Sequence, residues 1–377
     1  MTSNRKKILF ILPLPPPVHG STVVGQAIRD SKRINAAFDC RFVSSTFSRD
    51  MGDLGAMSVR KIFTLLKIFC LTLKHLIVFR PHLCYFAPTA RGIGFYKDLP
   101  IIFLLKIFRR KIVYHFHNKG VAAAQDRWID DKLYRFAFRG AKVILLSERL
   151  YGDVAKYFSK DDVFICPNGI PDTESENFQQ PQPRNNPVPR LLFLSNLLES
   201  KGVFVLLDAL KILKDNGYSF VCDFVGAETP EINAARFAEE TLRRGLNEIV
   251  VYKGKQYGDE KDGSFRQSDI FVFPTFYKNE TFGLVNLEAM RCKLPVISTN
   301  EGGIPDVVKD GETGFVVEKE NVAALSDAIA KLIDDCGLRK TMGEKGFQHF
   351  INNFTIEKFE GNLNDILTNI NTKKGGG

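Results

Sequence analysis

The sequence predicts an α/β protein built from two doubly wound, parallel-sheet domains. Three observations carry that prediction. Short β-rich apolar runs alternate with longer helical stretches, the alternation breaks once near residue 168 and restarts, and the strand runs are apolar on both faces.

In the first half the strands are expected at 8–12, 41–43, 83–86, 111–116, 142–146 and 163–166, with helices at 22–30, 59–79, 99–108, 128–138 and 149–158. Pro167-Asn168-Gly169-Ile170 closes this series, and 173–189 is rich in Pro, Gln and Asn, the composition of a linker. The second series has strands at 190–195, 220–225, 249–253, 270–274, 295–299 and 314–317. Its helices are expected at 202–216, 232–244, 263–267, 283–291, 304–308 and 321–336, and the last ones, 338–371, lead to a flexible Lys-Lys-Gly-Gly-Gly tail. The expected domains are therefore 1–168 and 169–354, with a helix at about 355–371 packing back onto the first. Ligands of such sheets lie beyond the carboxyl ends of the strands, which makes a cleft between the domains the expected site.

Composition narrows the class. With 44% hydrophobic and 25% charged residues the chain is neither disordered nor a disulfide-stapled miniprotein. Charge is uneven: residues 1–166 carry 28 Lys and Arg against 12 Asp and Glu, the remainder 24 against 31. The first half is built to meet something anionic. No nucleic-acid-binding motif accompanies that charge, so nucleic acid is not an expected partner. Seven unpaired cysteines, among them Cys70 and Cys222 in apolar runs, read as reduced buried thiols of a cytoplasmic protein. Arg5-Lys6-Lys7 and the apolar run after it imitate a leader, but Pro13 breaks the run and no small-residue cleavage site follows, so a first buried strand is expected.

Two apolar stretches stand out. In 59–79 the cations Arg60, Lys67 and Lys74 recur every seven residues, on one helical stripe, and 99–108 is followed by Arg109-Arg110-Lys111. They read as core helices with lysines in solvent, as a face resting on an anionic bilayer, or as both at once.

The chemistry concentrates in 273–317. A strand ends at Pro274, a loop holds Glu280, and a helix opens at Phe282-Gly283, where free backbone N–H groups make an anion site. Glu288 stands about a turn and a half further on, so a diphosphate at the helix start has one carboxylate before it and one beyond. Paired carboxylates also serve glycoside hydrolysis, which leaves the glycine-started helix unexplained. No cluster with metal-ligand spacing and no Asp-x-Asp occurs, which is consistent with a site that uses no metal.

Glu280-x7-Glu288 with Phe282-Gly283, then Gly302-Gly303-Ile304-Pro305-Asp306 and Gly311-x-x-Gly314-Phe315, resembles glycosyltransferase family 4 (group 1), retaining nucleotide-sugar transferases of the GT-B fold. The likeness is strongest over 190–355 and looser before it. It implies that Glu280 holds donor-sugar hydroxyls, that Phe282, Gly283 and Leu284 offer amides to the diphosphate, that Glu288 takes the ribose hydroxyls, and that Lys201 neutralises the leaving diphosphate. The family's usual Gly-Arg is here Ser195-Asn196, so Asn196 brings a hydrogen bond but no charge; this leaves open a different phosphate affinity or donor choice, or compensation by Arg190 or another nearby base. In the first half, Gly20 after Pro15-Pro16-Pro17-Val18-His19 resembles the glycine loop beneath the donor, with Ser21 as a helix cap. His117, rather than His115, matches the histidine facing the donor sugar. Gly226 resembles the glycine turn beside the nucleotide, and Gly254-Lys255-Gln256 falls where the base contacts the chain.

The implied reaction is glycosyl transfer with retention from a nucleotide diphosphate sugar, a uridine one ahead of a guanosine one, to a hydroxyl acceptor. No further cofactor is implied. The basic first domain fits a lipid-linked glycan acceptor of surface-polysaccharide synthesis, with Arg60, Lys67, Lys74, Arg109 and Arg110 on an anionic membrane surface and the protein peripheral at its cytoplasmic face. Glycoside phosphorylases and nucleotide-sugar epimerases of similar architecture are the alternatives; the former need free phosphate, the latter no acceptor.

Overall fold

The computed structural model describes residues 5–17, 20–46, 59–172, 186 and 188–372, the side chains of 59–61 and 372 excepted. The Pro-rich stretch from 173 to 185, His19 and the Gly-rich tail lie outside the described residues. The chain forms two compact units, Met1–Gly169 with Ile356–Gly377, and Ile170–Thr355.

The first unit holds six strands: β1 (Lys7–Leu12), β2 (Asp39–Ser44), β3 (Leu83–Phe86), β4 (Lys111–His115), β5 (Lys142–Leu145) and β6 (Val163–Ile165). They pair in the order β2-β1-β3-β4-β5-β6, every pair parallel. β1 is buried from Ile8 onward, so the apolar run behind Arg5-Lys6-Lys7 is a core strand. The second unit repeats the plan with β7 (Arg190–Leu194), β8 (Val221–Val225), β9 (Val250–Tyr252), β10 (Ile270–Phe273), β11 (Val296–Thr299) and β12 (Gly314–Val317). Their order is β12-β11-β10-β7-β8-β9, again parallel. All twelve strands sit within two residues of the expected runs; central strands such as β3 and β10 are buried throughout and so read as unbroken apolar runs, whereas the edge strands β2 and β6 are only partly buried.

Helices depart more. The helix Gly92–Ile107 starts well before 99 and runs through Pro100, although proline suits a first-turn position. The stretch 149–158 folds only as Glu148–Leu150 and Tyr151–Val154. Asp153 there accepts hydrogen bonds from the amides of Gly120, Val121 and Ala122 and so caps another short helix, Val121–Ala124. Ser21 lies inside the first turn of the helix Gly20–Asp30 and is not its cap, and Cys70 is exposed, not buried. The final helix, Ile356–Thr372, packs on Lys32–Ala37 and belongs to the first unit.

Candidate active site

In the second unit the chain leaves β7 to one side, toward β8 and β9, and returns on its other side through β10. The carboxyl ends of β7 and β10 therefore form a topological switch point, where the first and fourth crossovers diverge and leave a crevice. Lys201 follows β7 and Glu280 follows β10. Lys201 Nζ lies 2.6 Å from Glu280 Oε2, with side chains only 16% and 13% exposed.

Local backbone chemistry forces that meeting. Gly202 has φ +87°, and a Cβ there would stand 2.2 Å from the Pro274 carbonyl oxygen. Only glycine lets the turn Glu199–Lys201 press against the segment after β10. Phe276 N donates to Ser200 O at 2.8 Å across the same contact. The ammonium of Lys201 also sits 4.4 Å from the Tyr277 ring centroid and 5.5 Å from that of Phe273, an aromatic seat that holds a cation. On the far side Gly302, φ +55°, backs onto the Glu280 carbonyl oxygen, which a Cβ would approach to 2.4 Å, and Gly303 N donates to Thr281 O at 2.9 Å. The Gly-Gly pair thus braces the loop that carries Glu280.

The helix Leu284–Arg291 opens at Gly283 (φ 69°, ψ 69°), and no side chain caps its amide groups. Phe282, just before this turn, is buried and meets Phe354 edge-on at 5.8 Å. Uncapped N–H groups beside an ammonium form a site for a polyanion. Glu288, on the same helix, pairs with Lys261 at 2.6 Å. Asn286 is fully buried, and neither of its amide atoms has a partner among the described residues. Its Nδ2 lies 2.7 Å from where a Gly283 Cβ would be.

Asn196 and Gly226 meet at the neighbouring strand ends. A Cβ on Gly226 would lie 1.7 Å from Ser195 O and 3.1 Å from Asn196 N, so this glycine permits the loops after β7 and β8 to touch. Gly226 N donates to Gly254 O at 2.9 Å, tying in the loop after β9. Arg190 is not a substitute phosphate cation. Its guanidinium bonds the buried Asp223 at 2.8 Å, as does Lys253.

In the first unit, Gly20 opens the helix Gly20–Asp30, and Gly25 of the same helix packs closely on the segment after β1, where a Cβ would stand 2.0 Å from Pro13 O. His115 ends β4, fully buried, its Nδ1 2.5 Å from the Tyr85 hydroxyl. His117 lies two residues beyond, its ring centroid 4.2 Å from that of His115. Burial pushes the His117 imidazole down to about 4 and His115 well below the ordinary histidine range. Lys67, Lys74 and Arg109 are exposed and Arg110 is half-buried; the Arg60 side chain lies outside the described residues.

Sequence reasoning brought Lys201, Glu280, Phe282, Gly283 and Leu284 to one place. It missed Lys261, which lies in Asp259-Glu260-Lys261-Asp262 and reads as a solvated face, and it missed Tyr277 as the seat of Lys201. No group of three or more metal-binding side chains occurs among the described residues.

Residues 174–349 match the family model of glycosyl transferases group 1. Over 165 residues the chain is 31% identical to the capsular polysaccharide biosynthesis glycosyltransferase CapM of Staphylococcus aureus, covering 44% of this chain and 42% of that one. The chain thus aligns with less than half the length of that relative. A solved glycosyltransferase from Rickettsia africae superposes with TM-score 0.74 at 20% identity, covering 98% of this chain and 100% of the other. The Anabaena protein HepE, solved in complex with UDP, superposes with TM-score 0.72 at 17% identity, covering 97% and 100%. The architecture is that of GT-B glycosyltransferases, and over residues 174–349 the chain is similar to the glycosyl transferases group 1 family.

Proposed function

We propose that the protein transfers a sugar, with retention, from a uridine diphosphate sugar to a hydroxyl of a lipid-linked glycan. The observation that carries the proposal is the Lys201–Glu280 pair, 2.6 Å apart, at the switch point beside an uncapped helix start. The donor's diphosphate takes the amides of Phe282, Gly283 and Leu284, and Lys201 turns toward it. Glu280 is then free to accept hydrogen bonds from sugar hydroxyls, and Glu288 from those of the ribose. The bond between the anomeric carbon and the β-phosphate oxygen breaks as the acceptor oxygen attacks the same face, and its proton passes to the departing phosphate. Stabilising that phosphate is the main catalytic work, and fixed amides with one ammonium supply it without a metal. Asn196 and Gly226 shape the nucleotide side.

UDP as the nucleotide is supported by the fold shared with the UDP-bound Anabaena protein, and a glycan product by the capsular relative. The acceptor is assigned to the first unit, whose cations Lys67, Lys74 and Arg109 suit an anionic membrane at its cytoplasmic side; His117 is assigned to the donor sugar. The test is calorimetric titration with UDP and GDP, followed by product analysis with a UDP-sugar and polyprenyl diphosphate-linked glycans. Tight UDP binding, turnover that survives chelation and an unchanged anomeric configuration are expected. UDP release without acceptor, or no nucleotide binding, overturns the reading.

A further inference from the structure

We infer that the first unit inserts an apolar face formed by three helices into an anionic bilayer, with Trp128 at one end of it. The inference rests on the membrane reading above and deepens it from a strip of charges to an inserted surface. The connections β2→β3, β3→β4 and β4→β5 all run the same way across the sheet. Right-handed crossovers therefore place the stretch 59–79, the helix Gly92–Ile107 and the helix Trp128–Phe138 on one face. Neighbours in this row pack side by side, and the rings of Phe103 and Phe136 bridge two of them at 6.3 Å.

Twelve of the eighteen large hydrophobic side chains exposed among the described residues stand on these three segments. Phe63 is 67% exposed, Val78 73% and Trp128 69%. On the first segment Phe63, Leu66, Leu71, Ile77 and Val78 share the outer stripe with Lys67 and Lys74, while Ile68, Thr72 and Leu76 face the sheet. Such a stripe has no use for water, and its size exceeds what scattered surface residues account for. Ile62–Phe79 is apolar enough to span a membrane by composition, yet it is one layer of a folded α/β unit, so lying on the interface is the consistent mode.

Charge selects the occupant. The stretch 59–79 has no acidic residue. Asp98 is buried and accepts from Thr89 N; Asp130 is buried and accepts from the Tyr96 hydroxyl. Asp131 is held by Arg135, Lys156 and Tyr157. What the face shows is apolar side chains with Lys67, Lys74 and Lys132 among them, the last 3.9 Å from the Trp128 ring centroid. A second copy would bring these like charges together; an anionic lipid surface neutralises them.

Trp128 is the sole tryptophan of the chain, so its fluorescence reports on this face alone. The full chain is mixed with phosphatidylglycerol or phosphatidylcholine vesicles and followed by sedimentation and emission. The expected result is sedimentation with phosphatidylglycerol, a blue-shifted emission quenched by brominated acyl chains, and binding partly retained at about 0.5 M salt, where screening acts within several ångströms. F103E with F136E is expected to weaken vesicle binding at least tenfold and to leave UDP affinity unchanged. Sedimentation with unshifted, unquenched emission overturns the inserted face but leaves the membrane reading standing. Failure to sediment with either lipid overturns both. A blue shift that grows with protein concentration without lipid assigns the face to a second copy and overturns the inference.

Discussion

The two sheets repeat one plan and part at their carboxyl edges. In the second unit two strands, β8 and β9, lie on one side of β7, and the switch point against β10 carries an ammonium–carboxylate pair. In the first unit only β2 lies beyond β1. Its polar chemistry is a pair of histidines in contact, rings tilted by 39°, at the end of β4, and its most distinctive surface is an outer helical layer. One fold can therefore place ionic chemistry at a strand edge or apolar area on a helical face. Which it does is set by residues that the core does not need.

The sharpest way to break this comparison is to remove the ion pair. Lys201→Ala is expected to lower kcat with the UDP-sugar about 10²–10³-fold, the usual loss for one group that stabilises the leaving charge. Glu280→Ala is expected to fall as far. Neither residue lies in the core, so the unfolding midpoint is expected to stay close to wild type. A variant with normal turnover would remove the switch point from the chemistry.

Gly202→Val comes next. It puts a Cβ 2.2 Å from Pro274 O at φ +87°, so the turn must move and carry Lys201 away from Glu280. Backbone strain of this kind costs on the order of 1–3 kcal/mol. A thermal melt should show the second unit destabilised, with activity falling alongside; the first unit's Gly152, with open space around it and no left-handed backbone, is the control.

Glu288→Gln is expected to weaken UDP binding about tenfold by calorimetry, near 1.4 kcal/mol, while pyrophosphate affinity changes little. A carboxylate has room to accept from Lys261 and from ribose hydroxyls together, so Lys261→Met should produce a smaller loss of the same kind, recovered by Lys261→Arg. Equal losses for UDP and pyrophosphate would instead place Glu288 on the phosphates.

The residues explain why some of this was legible. Glu280, Glu288 and Phe282-Gly283 fall within nine positions, so one strand–loop–helix turn displays them in order. The pairing of Lys201 with Glu280 spans 79 residues; the sequence holds it only through the rule that a switch point gathers strand ends. Lys261–Glu288 has no such rule behind it, because an Asp-Glu-Lys-Asp run satisfies its own charges on paper. That Arg190 is engaged elsewhere was not legible either: the buried Asp223 that claims it sits inside an apolar strand. Cys70 lay in a run so apolar that burial was the natural expectation, and the run turned outward instead.

In the first unit the histidine pair gives a pH test. His117 is lowered to about 4 against 6.5 when unfolded. The unfolded chain therefore binds the proton first. Its contribution to stability is complete above about pH 6.5 and lost as pH falls toward 4. His115, shifted the same way, adds to the slope. His117→Gln is expected to flatten the acid-side fall of the melting temperature between these values; an unchanged slope would place the titration elsewhere.

Asn286 gives the smallest effect, and its sign is the informative part. A buried amide without a partner costs about 1–3 kcal/mol, whereas an apolar side chain of the same shape avoids that cost. Asn286→Leu is nearly isosteric, and it removes both unpartnered atoms from a fully buried position. The second unit is expected to gain roughly 1 kcal/mol, read as a higher denaturant midpoint at an unchanged slope. If the amide contributes to the helix start that Gly283 opens, UDP affinity falls while stability rises, and the two readouts move in opposite directions. If both stay at wild-type values or rise together, Asn286 only fills space. A lower midpoint means that the amide is already satisfied by bound water, which Leu cannot replace.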